Sequence, residues 1–315
     1  MHHLSRRELL RWSSAAMLAA TLPPVSPGWA EQHGTELEHP MRQPPPGVLP
    51  GICPNCGMSI AHWGRTRYHA LVDGEALRLC SIHCLSDLVR KHGSPAQQVE
   101  VALYLTPTRM IAADQAVYVI GSRARGTMTP VSKIAFDRRE EAEQFVAGHG
   151  GTVADFPQAL AAATAGLDQA YPAIEASRKK NGKIEDPGAE ARCPVCEMFP
   201  ARYPKHRAQV NLSDKTIAHC CSTQCLVALR AEPKKHLKRA VTLQSAWVTV
   251  WPEGGWEYAR GMFFLVGSSL MGPMGPEAIP FRNKVDAAAA ARDHGGKILR
   301  YDELLPADIL ARGNT

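Results

Sequence analysis

Apolar residues gather in short runs that recur twice along the chain, and the runs predict strands and helices in the same order each time. In the first half, Arg67–Val72 and Ala76–Leu79 are strand-like runs on either side of Asp73-Gly74, a dipeptide suited to a tight hairpin turn. A helix is predicted over Cys80–His92, with Ser81 as N-cap and Gly93 as stop. Val99–Leu105 and Ala116–Ile120 read as strands, Gly121–Pro130 as a loop, and Thr152–Phe156 as a last short strand. Between loop and strand, Asp137 with Glu140 three residues on has the pattern of a capping box. The helix it opens carries Ala142, Phe145 and Val146 on its apolar face and closes at Gly150-Gly151.

The second half repeats this order. Strands are expected at His206–Leu212 and Thr216–Ala218 around a Ser213-Asp214 turn, and a helix capped by Ser222 runs to about Ala231, ahead of Pro233. Strands Ala246–Val250 and Met262–Val266, a loop at Gly272–Pro276, a helix from about Asn283 to His294 and a strand Lys297–Tyr301 follow. Tyr118-Val119-Ile120-Gly121-Ser122 answers Phe264-Leu265-Val266-Gly267-Ser268, and His149-Gly150-Gly151 answers His294-Gly295-Gly296. The chain is an internal duplication of an α+β unit. Its expected layout is 51–157 for the first domain, 158–190 for a linker and 191–305 for the second. Within the linker, Ala159–Lys180 is alanine-rich and helix-prone, and Lys179–Gly188 is polar and flexible in composition.

Cysteine placement adds the chemistry. Of nine cysteines, four form Cys53-Pro-Asn-Cys56 and Cys80-X-X-X-Cys84, four form Cys193-Pro-Val-Cys196 and Cys221-X-X-X-Cys225, and Cys220 is left over. The order knuckle, hairpin, then a helix bearing the second pair is that of a treble-clef metal module. A helix N-terminus stabilises thiolates through its free N–H groups and positive dipole end. Four thiolates suit tetrahedral Zn²⁺, whereas Cu⁺ takes two or three soft ligands. Met58 and Met198 stand two residues beyond Cys56 and Cys196. In an extended segment such a pair faces one way, so Cys-X-Met favours Cu⁺. The candidate ligands are Cys53, Cys56, Met58, Cys80 and Cys84, with Cys193, Cys196, Met198, Cys221 and Cys225. Met128 and Met274 are further thioethers in loops, His62, His69, His206 and His219 are possible supplementary ligands, and His83 lies inside the first Cys-X-X-X-Cys, where the second copy has Gln224. Disulfide staples are the competing reading, against which a chain of 315 residues needs none to build a core.

Composition narrows the classes. The chain is 45% apolar and 21% charged, as soluble globular proteins are. Its net charge is +6, of which residues 1–30 hold +2, and no Lys/Arg run is dense enough for nucleic acid. Ser5-Arg6-Arg7-Glu8-Leu9-Leu10, a weakly apolar stretch from Trp12 to Leu22, and Pro27-Gly28-Trp29-Ala30 make residues 1–30 a twin-arginine export signal. The stretch is too short for a stable membrane span. The expected compartment is the periplasm, with an uncleaved anchor as the alternative. Residues 31–50 read as a Pro- and His-rich leader containing His33, His39 and Met41. No nucleophile triad, GxSxG elbow, phosphate loop or carboxylate pair is present, so no catalytic residue is expected.

The chain resembles the NosL family of copper-binding accessory proteins. The resemblance rests on Cys53-Pro-Asn-Cys-Gly-Met58, on Val266-Gly-Ser268 before Met271-Gly-Pro-Met-Gly-Pro-Glu277, and on Pro280-Phe281 with a helix ending His294-Gly-Gly-Lys297. It implies two tandem treble-clef-based domains, each a ββα core with extra strands and a C-terminal helix. It also implies a Cu⁺ chaperone that takes copper from an upstream donor and supplies nitrous oxide reductase or another periplasmic copper enzyme. The implied copper ligands are Cys56 with Met58 and Cys196 with Met198. Glu197 in place of the knuckle glycine, Gly-Thr-Met128-Thr, and the tandem arrangement depart from the family pattern. A zinc-binding structural or sensory module is the alternative, and a thiol-dependent enzyme is a weaker one.

Overall fold

Strands β1 (Tyr68–Val72) and β2 (Glu75–Leu79) form the expected hairpin, with Asp73 and Gly74 both left-handed at φ 53° and 81°, as a type I′ turn requires. The computed structural model describes residues 47–310 together with Pro44. The expected export signal, and His33, His39 and Met41 of the leader, lie outside the described residues. Helix α1 (Ile82–His92) follows, with Ser81 as N-cap and Gly93 left-handed at its end. Next come β3 (Gln97–Ala102), β4 (Met110–Ala112), β5 (Val117–Ile120), β6 (Lys133–Phe136), α2 (Arg139–His149) and β7 (Thr152–Ala154). They make two antiparallel sheets, ordered β2-β1-β3-β4 and β6-β5-β7.

Helices α3 (Phe156–Ala165) and α4 (Leu167–Lys180) then lead to the second copy. Its elements are β8 (Ala208–Leu212), β9 (Ile217–Cys220), α5 (Thr223–Ala231), α6 (Pro233–Leu237), β10 (Leu243–Thr249), β11 (Trp256–Tyr258) and β12 (Phe263–Val266). A two-residue-strand hairpin, β13 (Met271–Gly272) with β14 (Gly275–Pro276), precedes β15 (Ile279–Phe281), α7 (Lys284–His294), β16 (Lys297–Arg300) and α8 (Pro306–Leu310). The sheets repeat as β9-β8-β10-β11 and β15-β12-β16. The duplication read from the sequence is therefore a duplication of strand order, and the fold is α+β. The twin Gly-Gly pairs do the same work in both copies. At Gly151 and Gly296, each at φ 96°, a Cβ would come within 2.8 Å and 2.5 Å of the carbonyl oxygens of Ile120 and Val266.

Several expectations change. β3 starts and ends earlier than Val99–Leu105, because Leu103 turns to bond the carbonyl of Arg109. β7 stops at Ala154 rather than Phe156, because Asp155 caps α3 in a capping box with Gln158. Asp137 does not cap α2. The N-cap position falls on Arg138, with no side-chain bond, and Asp137 pairs with Arg109 at 2.6 Å instead. The alanine-rich run is two helices broken at Gly166. The stretch after α4 has no regular structure but is tied down. Ile184 is buried among Trp247, Trp256 and Tyr258, and Asp186 pairs with Lys179 and Arg207. The expected Gly272–Pro276 loop is the β13–β14 hairpin.

Each half has its own core. Tyr68, Leu79, Leu85, Leu88 and Tyr118 fill the first, joined by Ala159 and Ala163 of α3. Val210, Leu226, Leu229, Val248 and Phe264 fill the second. At about 25 cal/mol per Å² of apolar surface removed from water, burial of side chains this size is the main force holding both.

Candidate metal centre

The knuckle is built the same way twice. Cys53 N–H donates to the Met58 carbonyl at 2.8 Å and Gly57 N–H to the Cys53 carbonyl at 2.9 Å. Cys193 to Met198 and Glu197 to Cys193 repeat these bonds at 2.8 and 2.9 Å. The loop closes on itself and turns both of its cysteines to one side. The left-handed fifth position is glycine in one copy (Gly57, φ 75°) and glutamate in the other (Glu197, φ 64°). The second pair arrives at the end of the hairpin and in the first turn of α1 or α5. Ser81 and Ser222 cap these helices, their hydroxyls accepting from the N–H of Cys84 and Cys225 at 3.5 and 3.2 Å.

The sulfurs of Cys53, Cys56, Cys80 and Cys84 all lie within 4.8 Å of one another, as do those of Cys193, Cys196, Cys221 and Cys225. Cys56–Cys80 and Cys80–Cys84 are both 3.5 Å apart, and Cys196–Cys221, Cys221–Cys225 and Cys196–Cys225 are 3.4, 3.7 and 3.7 Å. A bonded disulfide would stand at about 2.05 Å. A tetrahedron with metal–sulfur bonds of about 2.3 Å has edges of about 3.8 Å. The donor set thus fits a soft metal ion, and all nine cysteines are free thiols.

The thiols hydrogen-bond to one another. Burial opposes ionisation of Cys53, but hydrogen bonds from Cys56, Cys80 and Cys84 outweigh it and hold Cys53 well below the usual thiol range. Bonds from Cys220, Cys221 and Cys225 do the same for Cys193. Cys80, Cys84, Cys221 and Cys225, which donate, are pushed up. The converging thiols of each cluster therefore share the charge of the first ionisation through their hydrogen bonds. Cys220, the unpaired cysteine, is not one of the second four. It lies fully buried at the end of β9 and turns its thiol toward Cys193.

The other expected ligands divide. Met58 and Met198 are partly buried against the first and second cores, and Met128 packs on the first core. Met274 is 42% exposed on the β13–β14 hairpin. His62 bonds Ser59, His69 faces Glu100, His206 stacks on Trp251, and His219 bonds Glu185. His83 is buried beside Cys84 and driven down to about 4 by burial, so it stays neutral. Its Nδ1 has no hydrogen-bond partner among the described residues.

Two supports were not read from the sequence. Asn55, inside the first knuckle, donates to Asp87 at 2.9 Å and accepts from Lys91 at 2.9 Å. The Asp-X-X-X-Lys spacing on a helix was the available signal. In the second copy, Glu277 accepts from the N–H of Gln224 at 2.6 Å, joining the hairpin to the turn that carries Cys225. Burial pushes its carboxyl up to about 8. It closes the Met-Gly-Pro-Met-Gly-Pro-Glu motif.

Fold and site define a class: a tandem of α+β units, each placing four converging thiols where a soft metal ion fits. The NosL family profile matches residues 51–163 and again 185–309, together more than half of the chain, and the protein belongs to the NosL family. The copper-binding lipoprotein NosL of Stutzerimonas stutzeri is 30% identical over 116 residues, 36% of this chain and 60% of that protein. Its counterpart from Achromobacter cycloclastes is 39% identical over 59 residues, 18% of this chain and 31% of that protein. The match thus spans less than two thirds of either relative. The crystal structure of the copper chaperone NosL from Shewanella denitrificans aligns at 24% identity and a TM-score of 0.35, covering 39% of this chain and 96% of that one. The solution structure of apo-NosL from Achromobacter cycloclastes aligns at 28% identity and a TM-score of 0.25, covering 32% and 87%. No helix among the described residues is long and apolar enough to cross a membrane.

Proposed function

We propose that this protein is a non-catalytic copper(I) carrier of the periplasm, exported by the twin-arginine route, which receives copper from an upstream donor and passes it to nitrous oxide reductase. The observation that carries this reading is the pair of converging four-thiol clusters within a NosL-family tandem. Copper(I) is the cargo. Soft sulfur donors favour it over harder cations. Hydrogen bonds among the converging thiols ease their ionisation, and the Met58 and Met198 thioethers stand two residues beyond Cys56 and Cys196. Each thiol that binds must lose its proton, so uptake releases protons and strengthens as pH rises.

Zinc is the second reading, favoured by the near-tetrahedral sulfur separations. Metal analysis of anaerobically purified protein separates the two. Copper(I) in stoichiometric amounts, and transfer to apo nitrous oxide reductase, support the carrier. Tightly held zinc that copper(I) does not displace would falsify it.

A further inference from the structure

The two clusters are alike in sulfur geometry and unlike in access. In the first, Asn55 and Cys56 are both buried, and the second half of the chain is part of what buries them. The Tyr258 ring lies over Gly57, where an added Cβ would stand 3.2 Å from it. Gly261 sits so close to the Asn55 carbonyl that its own Cβ would approach to 2.8 Å. Both neighbours of Cys56 in sequence are thus covered by residues 258–261. The other flank is closed from within the first half. Thr66 donates to the carbonyl of Cys80 at 2.8 Å and bonds Thr127 at 2.9 Å, and Met128 packs on the core.

In the second cluster the knuckle is more open, although Glu277 holds the turn that carries Cys225. Val195 and Cys196 are half-buried and Glu197 is exposed. Sheet register places Ala112 in the first half where Tyr258 stands in the second: Ala112 pairs with Glu100 on β3 as Tyr258 pairs with Trp247 on β10. At this register position the first half thus carries no aromatic ring. Met274, the counterpart of Met128, is exposed on its hairpin.

We propose that the two centres divide their work. The first is a closed, slowly exchanging metal site, sealed by Tyr258–Gly261 of the other half. The second is the exchange site, with Cys196 as the sulfur that first meets a donor or acceptor. This division rests on the carrier reading for its purpose, but the seal itself does not depend on any metal.

The test is thiol alkylation of the full-length, reduced, metal-free protein with iodoacetamide, followed by peptide mass spectrometry. Cys196 reacts first, and Cys53, Cys56, Cys80 and Cys84 react slower by about tenfold or more, since they wait on local opening. Tyr258→Ala speeds labelling of Cys56 by about tenfold and leaves Cys196 unchanged. Equal rates for Cys56 and Cys196 in the unaltered protein overturn the proposal, whether or not the variant folds. So does a folded Tyr258→Ala protein with an unchanged Cys56 rate. In copper-loaded protein a copper(I) chelator should remove metal in a fast and a slow phase, and Cys196→Ser should abolish the fast one only. If no copper binds, the carrier reading fails while the labelling rates still decide the seal.

Discussion

Lys91 Nζ stands 2.9 Å from Asp87 Oδ2 one helical turn away, with the two side chains only 1% and 3% exposed. Few charged pairs are buried so completely, and one alone would be poorly repaid for losing water. Here Asn55 bridges both partners and Tyr171 of α4 donates to Asp87 at 2.5 Å, so the charges are satisfied and tie the knuckle to α1 and α4. Asp87→Ala leaves Lys91 buried and unpaired, and should cost about 3–5 kcal/mol in urea unfolding.

The same pair sets an acid limit. Burial opposes ionisation of Asp87, but the Lys91 charge and the bonds from Tyr171, Lys91 and Asn55 outweigh it and bring the carboxyl down to about 2. A lowered carboxyl contributes stability above its unfolded value, and that contribution is lost as pH falls through the folded value. Thermal midpoints measured from pH 5 to pH 2 should therefore fall less steeply in Asp87→Asn than in the parent protein.

Glu277 has the opposite sign. Its carboxyl is raised by burial to about 8, so the folded protein binds a proton that the unfolded chain has released. Stability from this group is present below about pH 4.5 and is lost as pH rises toward 8. Glu277→Gln keeps an oxygen for the Gln224 amide and removes the titration. Its unfolding free energy should be flatter than the parent's between pH 5 and 8, measured in the reduced apo-protein.

Met58→Leu and Met198→Leu preserve volume, and each should cost less than about 1.5 kcal/mol of stability. If the thioethers hold copper, the double variant should bind copper(I) at least about tenfold more weakly in competition with a chelator, a change of about 1.4 kcal/mol. Zinc affinity should stay as it was.

Ser81→Ala and Ser222→Ala remove the caps above Cys84 and Cys225, and each should lower stability by about 1 kcal/mol. The lost hydroxyl loosens the turn that aims one sulfur. Slower copper uptake, followed by stopped-flow absorbance in the ultraviolet, is the expected companion effect.

Much of this molecule was legible before its coordinates. Asp73-Gly74, Ser81 and Gly93 are local signals, and local signals place the hairpin and α1 directly. The eight converging cysteines follow from their spacing. What escaped was set by distant partners. β6 (Lys133–Phe136) and β15 (Ile279–Phe281) are too short and too fully buried to alternate, and the latter contains a proline tolerated because it pairs on one side only. Asp137 has every local reason to cap a helix, yet Arg109 claims it. The Tyr258 cover on Gly57 joins residues about two hundred positions apart, and no periodicity announces it.

The segment between the copies shows what the duplication became. It starts in the first core with Ala159 and Ala163, touches Asp87 through Tyr171, reaches Glu257 through Arg178, and ends with Ile184 under Trp247 and Trp256. Such a tether packs on both copies and fixes its own two ends differently. Transposing the two halves would preserve every cysteine spacing within each copy, yet cut the connecting segment that seats Ile184 against Trp247 and Trp256. The gene carries two similar paragraphs, and the line that joins them belongs to both.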